Sequence, residues 1–313
     1  MTQNILILGS SGMLGEMCSK TLVQNNNFKV IGASRTRPSD QILSSLHWWY
    51  QFDIDQFEIE EFVNIIKDQE INYIINAIGI TKPFIDENSI SSRNNAILIN
   101  SVFPSMLANT VEEFNIQILQ IATDCVYSGN TTGFYTESSP HDTTDVYGKT
   151  KSLGEISHPN IHHLRCSIIG PEPTKKAFLL EWFLNQPQNA EISGFKNHIW
   201  NGITTYHFAK ICEGIIENNI ELPHLQHIVP YNNILGSGWT PADAVDKYRL
   251  LQMFAKYYNR SDIVINPIMA DKSISRAIST ENIELNQKLW QAAKYTGPPS
   301  IELMIEEMSN IQK

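Results

Sequence analysis

Along the first half of the chain, short apolar runs alternate with stretches in which apolar residues recur every three or four positions. Asn4–Leu8 is a run of the first kind and closes on Gly9, which predicts a buried strand. From Gly12 onward, Met13, Leu14, Met17, Cys18 and Leu22 fall at helical spacing, and Asn25-Asn26-Asn27 ends that helix. Phe28–Ala33 then predicts a second strand, and Ile59, Phe62, Val63 and Ile66 mark another helix. A strand at Asn72–Ile78 follows, then a long helix over Asn94–Phe114 bent at Pro104. The series ends with a strand at Ile116–Ala122, a helix at Asp145–Ser157 and a strand at His162–Ile168. Repeated strand–helix units whose strands are apolar on both faces predict an α/β fold, a doubly wound parallel sheet with helices on both sides.

After Pro171 the pattern loosens. Helical spacing recurs at Lys176–Leu184, Tyr206–Glu217, Ala242–Tyr258 and Pro299–Met308, between short strands and loops containing Pro and Asn. Residues 1–170 are therefore expected to form one domain, and residues 171–313 a smaller, mostly helical lobe that returns segments to it. Gly236–Pro241 predicts a surface turn, with Thr240 capping a helix that begins at Pro241.

Composition narrows the function classes. With 313 residues, of which 42% are hydrophobic and 18% charged, the chain can bury a large core and does not fit a disordered protein. A net charge of −10 argues against nucleic acid as the main partner, because phosphate backbones need a basic footprint. No apolar run approaches the roughly 18 residues of a membrane span. Met1–Asn4 lacks the cationic flank of a signal peptide. Cys18, Cys125, Cys166 and Cys212 are too dispersed for a zinc site or a disulfide framework, so a cytoplasmic protein is expected.

The first strand ends in Gly9-Ser10-Ser11-Gly12-Met13-Leu14-Gly15. Early glycines at this spacing permit a tight turn and bring backbone N–H groups to a pyrophosphate. The third lets the helix pack close to the sheet, and the helix N-terminus faces the anion. The end of the second strand should then meet the adenosine ribose. It reads Gly32-Ala33-Ser34-Arg35-Thr36-Arg37, with two arginines and no acid, which favours NADPH with NADH as the alternative.

Further on, Tyr147-Gly148-Lys149-Thr150-Lys151 places Tyr147 and Lys151 four apart on one helical face. A phenol is a poor acid–base group at neutral pH, and a neighbouring ammonium eases its ionisation. A phosphate-binding P-loop reading of Gly148-Lys149-Thr150 fails, because Thr143 stands where the earlier glycine is required. Alongside this pair come Thr123-Asp124-Cys125-Val126-Tyr127, Gly133-Phe134-Tyr135-Thr136-Glu137, Asn76-Ala77-Ile78-Gly79 and Arg165–Gly170. Together these motifs resemble the extended short-chain dehydrogenase/reductases, and within them the dTDP-4-dehydrorhamnose reductase family, over nearly the whole chain.

That resemblance implies a Rossmann-type fold and a set of roles. Thr123 would orient a substrate carbonyl, Tyr147 would donate the proton, and Lys151 would tune Tyr147 and hold the nicotinamide ribose. Asn100 would be the structural or relay asparagine, although Asn94, Asn95 and Asn109 lie nearby. Gly9, Gly12 and Gly15, with Met13 and Leu14, would cradle the pyrophosphate. Ser34, Arg35, Asp53 and Ile54 would meet the adenosine, and Ala77 and Gly79 would run beside the cofactor. The dimer-bridging metal of some relatives is not carried over, because Met17 stands at the glutamate position and Glu16 is one residue early.

The resemblance further implies a nucleotide-diphosphate sugar as substrate, specifically a 4-keto-6-deoxyhexose, in surface polysaccharide synthesis. Asp124 and Cys125 would flank it. Trp200 is a candidate to stack a sugar or base and Lys196 to hold phosphate oxygens, with Lys272 and Arg276 as further cations. Two alternatives stand beside the simple reductase. Cys125, two residues beyond Thr123, has the spacing of the cysteine in epimerase/reductases of the GDP-fucose synthase type. Some superfamily members are instead non-catalytic regulatory subunits. A homodimer through the Asn94–Phe114 and Asp145–Ser157 helices is also implied.

Overall fold

The computed structural model describes residues 2–131, 133–230 and 244–311. The turn expected at Gly236–Pro241, with its Thr240 cap, lies outside the described residues. The first part of the chain runs β1 (Gln3–Leu8), α1 (Met13–Leu22), β2 (Phe28–Ser34), α2 (Asp40–Ser45), β3 (Trp48–Gln51), α3 (Ile59–Asp68) and β4 (Tyr73–Asn76). It continues through α4 (Ile90–Ile97), α5 (Phe103–Thr110), β5 (Gln117–Thr123), α6 (Val146–Leu153) and β6 (Ile161–Cys166). After these come β7 (Ile168–Ile169), α7 (Leu179–Leu184), β8 (Glu191–Phe195), β9 (His198–Trp200), β10 (Ile203–Thr204), α8 (Thr205–Asn218) and β11 (Leu225–His227). The last elements are β12 (Val245–Asp246), α9 (Lys247–Tyr257), β13 (Val264–Ile268), β14 (Ile274–Ser275), α10 (Ile283–Ala292) and α11 (Ile301–Ile311).

Seven strands form a parallel sheet in the order β11-β6-β5-β4-β1-β2-β3. The doubly wound sheet expected from the periodicity is present. Its central strands read as continuous apolar runs because both faces are covered. Ile5 and Ile7 enter the core on one side, and Leu6 and Leu8 enter the core on the other. α3 buries Phe62, Ile65 and Ile66 and turns its early acids Glu60 and Glu61 to solvent. α8 packs along α1. β11 pairs in parallel with β6, so a late segment extends the main sheet.

The structure departs from the periodicity in several places. The helix expected over Asn94–Phe114 starts earlier, at Ile90, and is interrupted by a π turn at Leu98–Val102 before α5. Pro104 has no N–H to bond the Asn100 carbonyl four residues back, so the ladder is broken there and the turn widens. The edge strand β3 was not anticipated, because an edge strand half exposed on both faces gives no clear alternation; Trp48 is 57% exposed. α10 was not anticipated either. α6 and α7 are shorter than their periodic stretches, and α9 begins at Lys247.

Strand order reverses between β1 and β4, where consecutive connections leave in opposite directions. The carboxyl ends of β1, β2, β4, β5 and β6 therefore open onto one crevice, the general ligand position of such sheets.

Candidate active site

The crevice is a single cleft of about 630 Å³. At one end stands the glycine loop. Gly9 has φ +82°, open to glycine at little steric cost, and its carbonyl accepts from the Gly12 N–H at 2.9 Å. Gly12 then starts α1 with no side-chain cap, so the first N–H groups of the helix are available to an anion in the cleft. Met13 and Leu14 line the cleft. Gly15 does not: a Cβ there would sit 2.1 Å from the Gly9 carbonyl oxygen, so this glycine serves helix-to-loop packing.

Next to this loop, the end of β2 is tied down by its hydroxyls. Ser34 accepts from Trp49 Nε1 at 3.0 Å and donates to the Thr36 carbonyl at 2.9 Å, while the Ser11 and Thr36 hydroxyls meet at 2.9 Å. Arg35 lies at the exposed rim of the cleft. Arg37 turns to Asp40 on the surface, which leaves Arg35 as the arginine on the cleft side. Asp53 and Ile54 line the cleft beside them, as do Ala77 and Gly79 beyond β4.

The middle of the cleft is built by β5 and α6. Thr123 ends β5, and its Oγ1 accepts from Cys125 N at 3.1 Å. α6 is capped by Asp145, which accepts from Gly148 N at 2.9 Å. Gly148 lets this helix abut the loop after β5, because a Cβ there would lie 2.3 Å from the Cys125 carbonyl oxygen. That close approach brings Tyr147 beside Thr123. Burial pushes the Tyr147 phenol well above its usual range; Cys125, Asp124 and Asp145 add to this, and a contact with the Thr123 hydroxyl opposes it. Lys151 is buried and donates to the Ile121 carbonyl at 3.0 Å. Burial pulls its pKa down to about 8, against the attraction of Glu155.

Asn100 is placed otherwise than a residue in contact with ligand. It sits in the π turn, takes the Ile80 N–H on Oδ1 at 3.0 Å, and gives Nδ2 to the Ile80 carbonyl and to Thr150 Oγ1. With both ends of its amide engaged and the residue buried, it does not line the cleft but clamps the loop after β4 to α6. Cys125 lines the cleft with its thiol pKa raised to about 12, chiefly by burial and then by Asp124.

At the far end, Trp200 faces the cleft with its indole N–H donated to Ser167 Oγ at 2.8 Å. Lys196 is not there: it sits exposed in the turn between β8 and β9. Arg276 also stays behind the lining, its Nε donated to the Tyr127 carbonyl at 2.8 Å, where it acts on Asp124 through its charge. Lys272 is exposed and likewise outside the lining. The cation at this end is Lys247, over the Trp200 ring at 5.8 Å and missed by sequence reasoning. Its only signal was a lysine within a helical pattern, and nothing local ties that position to the cleft. Two lips were also missed. Phe84 meets Phe178 edge-on at 6.1 Å across the cleft, and Lys175 lies 3.9 Å over the Phe84 ring.

Comparison with known proteins adds a family. The model described as the RmlD substrate binding domain matches residues 3–311. A dTDP-4-dehydrorhamnose reductase from Aggregatibacter actinomycetemcomitans is 29% identical over 151 residues, 48% of this chain and 45% of its own length. A probable low-salt glycan biosynthesis reductase from Haloferax volcanii is 25% identical over 167 residues, 52% of each chain. The chain thus spans about half the length of the curated relatives it matches. A dTDP-4-dehydrorhamnose reductase from Bacillus anthracis, solved in complex with NADP, shares the fold with TM-score 0.73, at 17% identity over 100% of both chains.

Proposed function

The chain belongs to the RmlD substrate binding domain family, and on that premise we propose that it is an NADPH-dependent reductase of a nucleotide-activated 4-keto-6-deoxyhexose in deoxysugar synthesis. The observation that carries this reading is the convergence of Thr123, Tyr147 and Lys151 on a cleft whose other end is an anion-accepting glycine loop. The cradle fits a dinucleotide. Gly9 and Gly12 leave the backbone open, the α1 N-terminus offers unpaired N–H groups, and Arg35 supplies a cation near the ribose position. The bound nicotinamide would supply hydride to the keto carbon.

The chain's own residues do the rest. Thr123 donates to the keto oxygen and fixes its direction, while Tyr147 passes its phenolic proton to that oxygen as charge develops. Lys151, charged at neutral pH, compensates the phenolate left behind. Burial raises the phenol pKa, so Tyr147 is protonated in the resting site and gives up its proton only as negative charge develops on the keto oxygen beside it. Catalysis is then mostly alignment plus a preset acid.

Cys125 is held as a neutral thiol, and among the described residues no histidine lines the cleft, so the arrangement favours simple reduction over an epimerase/reductase. An intact Thr123, Tyr147 and Lys151 likewise favours an enzyme over a regulatory subunit. The same reading includes a cytoplasmic homodimer through α4, α5 and α6, where Ile90, Ile97, Val102 and Leu153 are exposed. Sedimentation showing only monomer at micromolar concentration would remove the dimer. A panel of nucleotide-activated 4-keto sugars assayed for NADPH oxidation tests the activity. Tyr147→Phe is expected to lower turnover about 10²–10⁴-fold while leaving NADPH affinity unchanged. An active Phe variant would refute the assigned acid.

A further inference from the structure

Lys247 stands out among the groups that the proposed mechanism does not use. Strand order fixes which part of a ligand it meets. The glycine loop and Arg35 follow β1 and β2, whereas Trp200 is bonded to Ser167 beyond β6, on the opposite side of β4 and β5. Lys247 shares the Trp200 end, so it faces substrate and not the adenosine of a cofactor.

Its backbone is held from two directions. Val245 pairs with Trp200 in the β12–β9 ladder, and Asp246 caps α9 by accepting from Arg249 N at 2.7 Å. The residue between ladder and helix has little freedom to move. Its ammonium is attracted by Asp124, the residue after Thr123, and opposed by the charge of Arg276. Lys247, Trp200, Thr123, Asp124 and Cys125 line one cleft, so a sugar whose carbonyl meets Thr123 brings its neighbouring oxygens toward this ammonium. Desolvation lowers the Lys247 pKa to about 8, with Asp124 the main opposing influence, so its charge persists at neutral pH in a place poor in water. An acceptor oxygen offered there gains more than it would at the surface.

We propose that Lys247 is the specificity-determining cation of the sugar subsite, donating to a hydroxyl oxygen on the carbon next to the reacting carbonyl while Trp200 covers the apolar face of the ring. This rests on the reductase reading above, since that reading sets Thr123 on the carbonyl. The substrate class it selects is a hexose that keeps a hydroxyl beside the ketone, in preference to the corresponding deoxy sugar.

The test uses the whole chain, titrated calorimetrically with a nucleotide-activated 6-deoxyhexose and with its analogue lacking that hydroxyl, each in the presence of NADP⁺. The native protein should bind the hydroxylated sugar about 10- to 100-fold more tightly than the analogue. Lys247→Met, which keeps the aliphatic stem over Trp200, should remove that preference and leave NADPH affinity unchanged. Lys247→Arg should retain most of it. Equal binding of the two sugars by the native protein overturns the assignment even if the Met variant fails to fold. So does a Met variant that keeps the preference. If the native protein binds the sugar but oxidises no NADPH with any 4-keto form, the reductase reading fails while calorimetry still decides Lys247. Absence of any sugar-nucleotide binding overturns the proposal.

Discussion

Gly148→Ala tests whether the reach of Tyr147 depends on how closely α6 approaches the loop after β5. The added Cβ would lie 2.3 Å from the Cys125 carbonyl oxygen and 2.4 Å from Thr143 Oγ1, whereas ordinary contact begins near 3.4 Å. The methyl therefore needs roughly 1 Å of clearance, and the nearest atom is backbone, which yields less readily than a side-chain tip. Moving α6 by that amount carries Tyr147 away from Thr123, and a misplacement of about 1 Å costs on the order of 10²-fold in rate. Overpacking should also cost about 1–3 kcal/mol of stability. Steady-state kinetics with NADPH and the preferred sugar, alongside urea unfolding, measure both effects. Gly297→Ala is the control, since nothing lies within 4 Å of a Cβ there. NADPH affinity should fall far less than kcat, because the glycine loop and Arg35 lie on other elements and only Lys151 moves with α6. A folded Gly148→Ala variant with native kcat would refute the alignment argument.

Further expectations follow from the cofactor end, the buried lysine and the cleft cysteine. Arg35→Ala should weaken NADPH binding by about 1–3 kcal/mol and NADH binding far less, as measured by fluorescence titration; equal losses would show that Arg35 does not meet a 2′-phosphate. Because burial lowers the Lys151 pKa to about 8, the ammonium is present below that pH and lost above it. The kcat profile should therefore fall on the alkaline side with a midpoint near pH 8, and a flat profile to pH 10 would exclude a role for that charge. Cys125→Ser should keep most reductase activity, and product made in deuterium oxide should carry no enzyme-dependent label at the carbons flanking the ketone. Cys125-dependent label there would favour the epimerase/reductase.

The strands and helices that carry the cleft were legible in the sequence because their signals are local. An apolar run such as Ile5–Leu8 is a buried strand wherever it sits in the sheet, and the Gly9–Gly15 spacing has few uses other than a tight turn into a helix. The Tyr147 and Lys151 pairing follows from helical period alone. What tertiary structure decided is which of the candidate polar residues reach the cleft. Asn100 is drawn into a clamp because Pro104 leaves the helix without a donor, and a helical reading of the same residues cannot foresee a π turn. Lys196 and Lys247 are both lysines near element ends, yet one ends in solvent and the other over Trp200. That difference is made by the pairing of β12 with β9, two segments more than forty residues apart. Local period fixes backbone form, whereas the facing of a polar side chain depends on contacts made across the chain, and only the folded molecule supplies those.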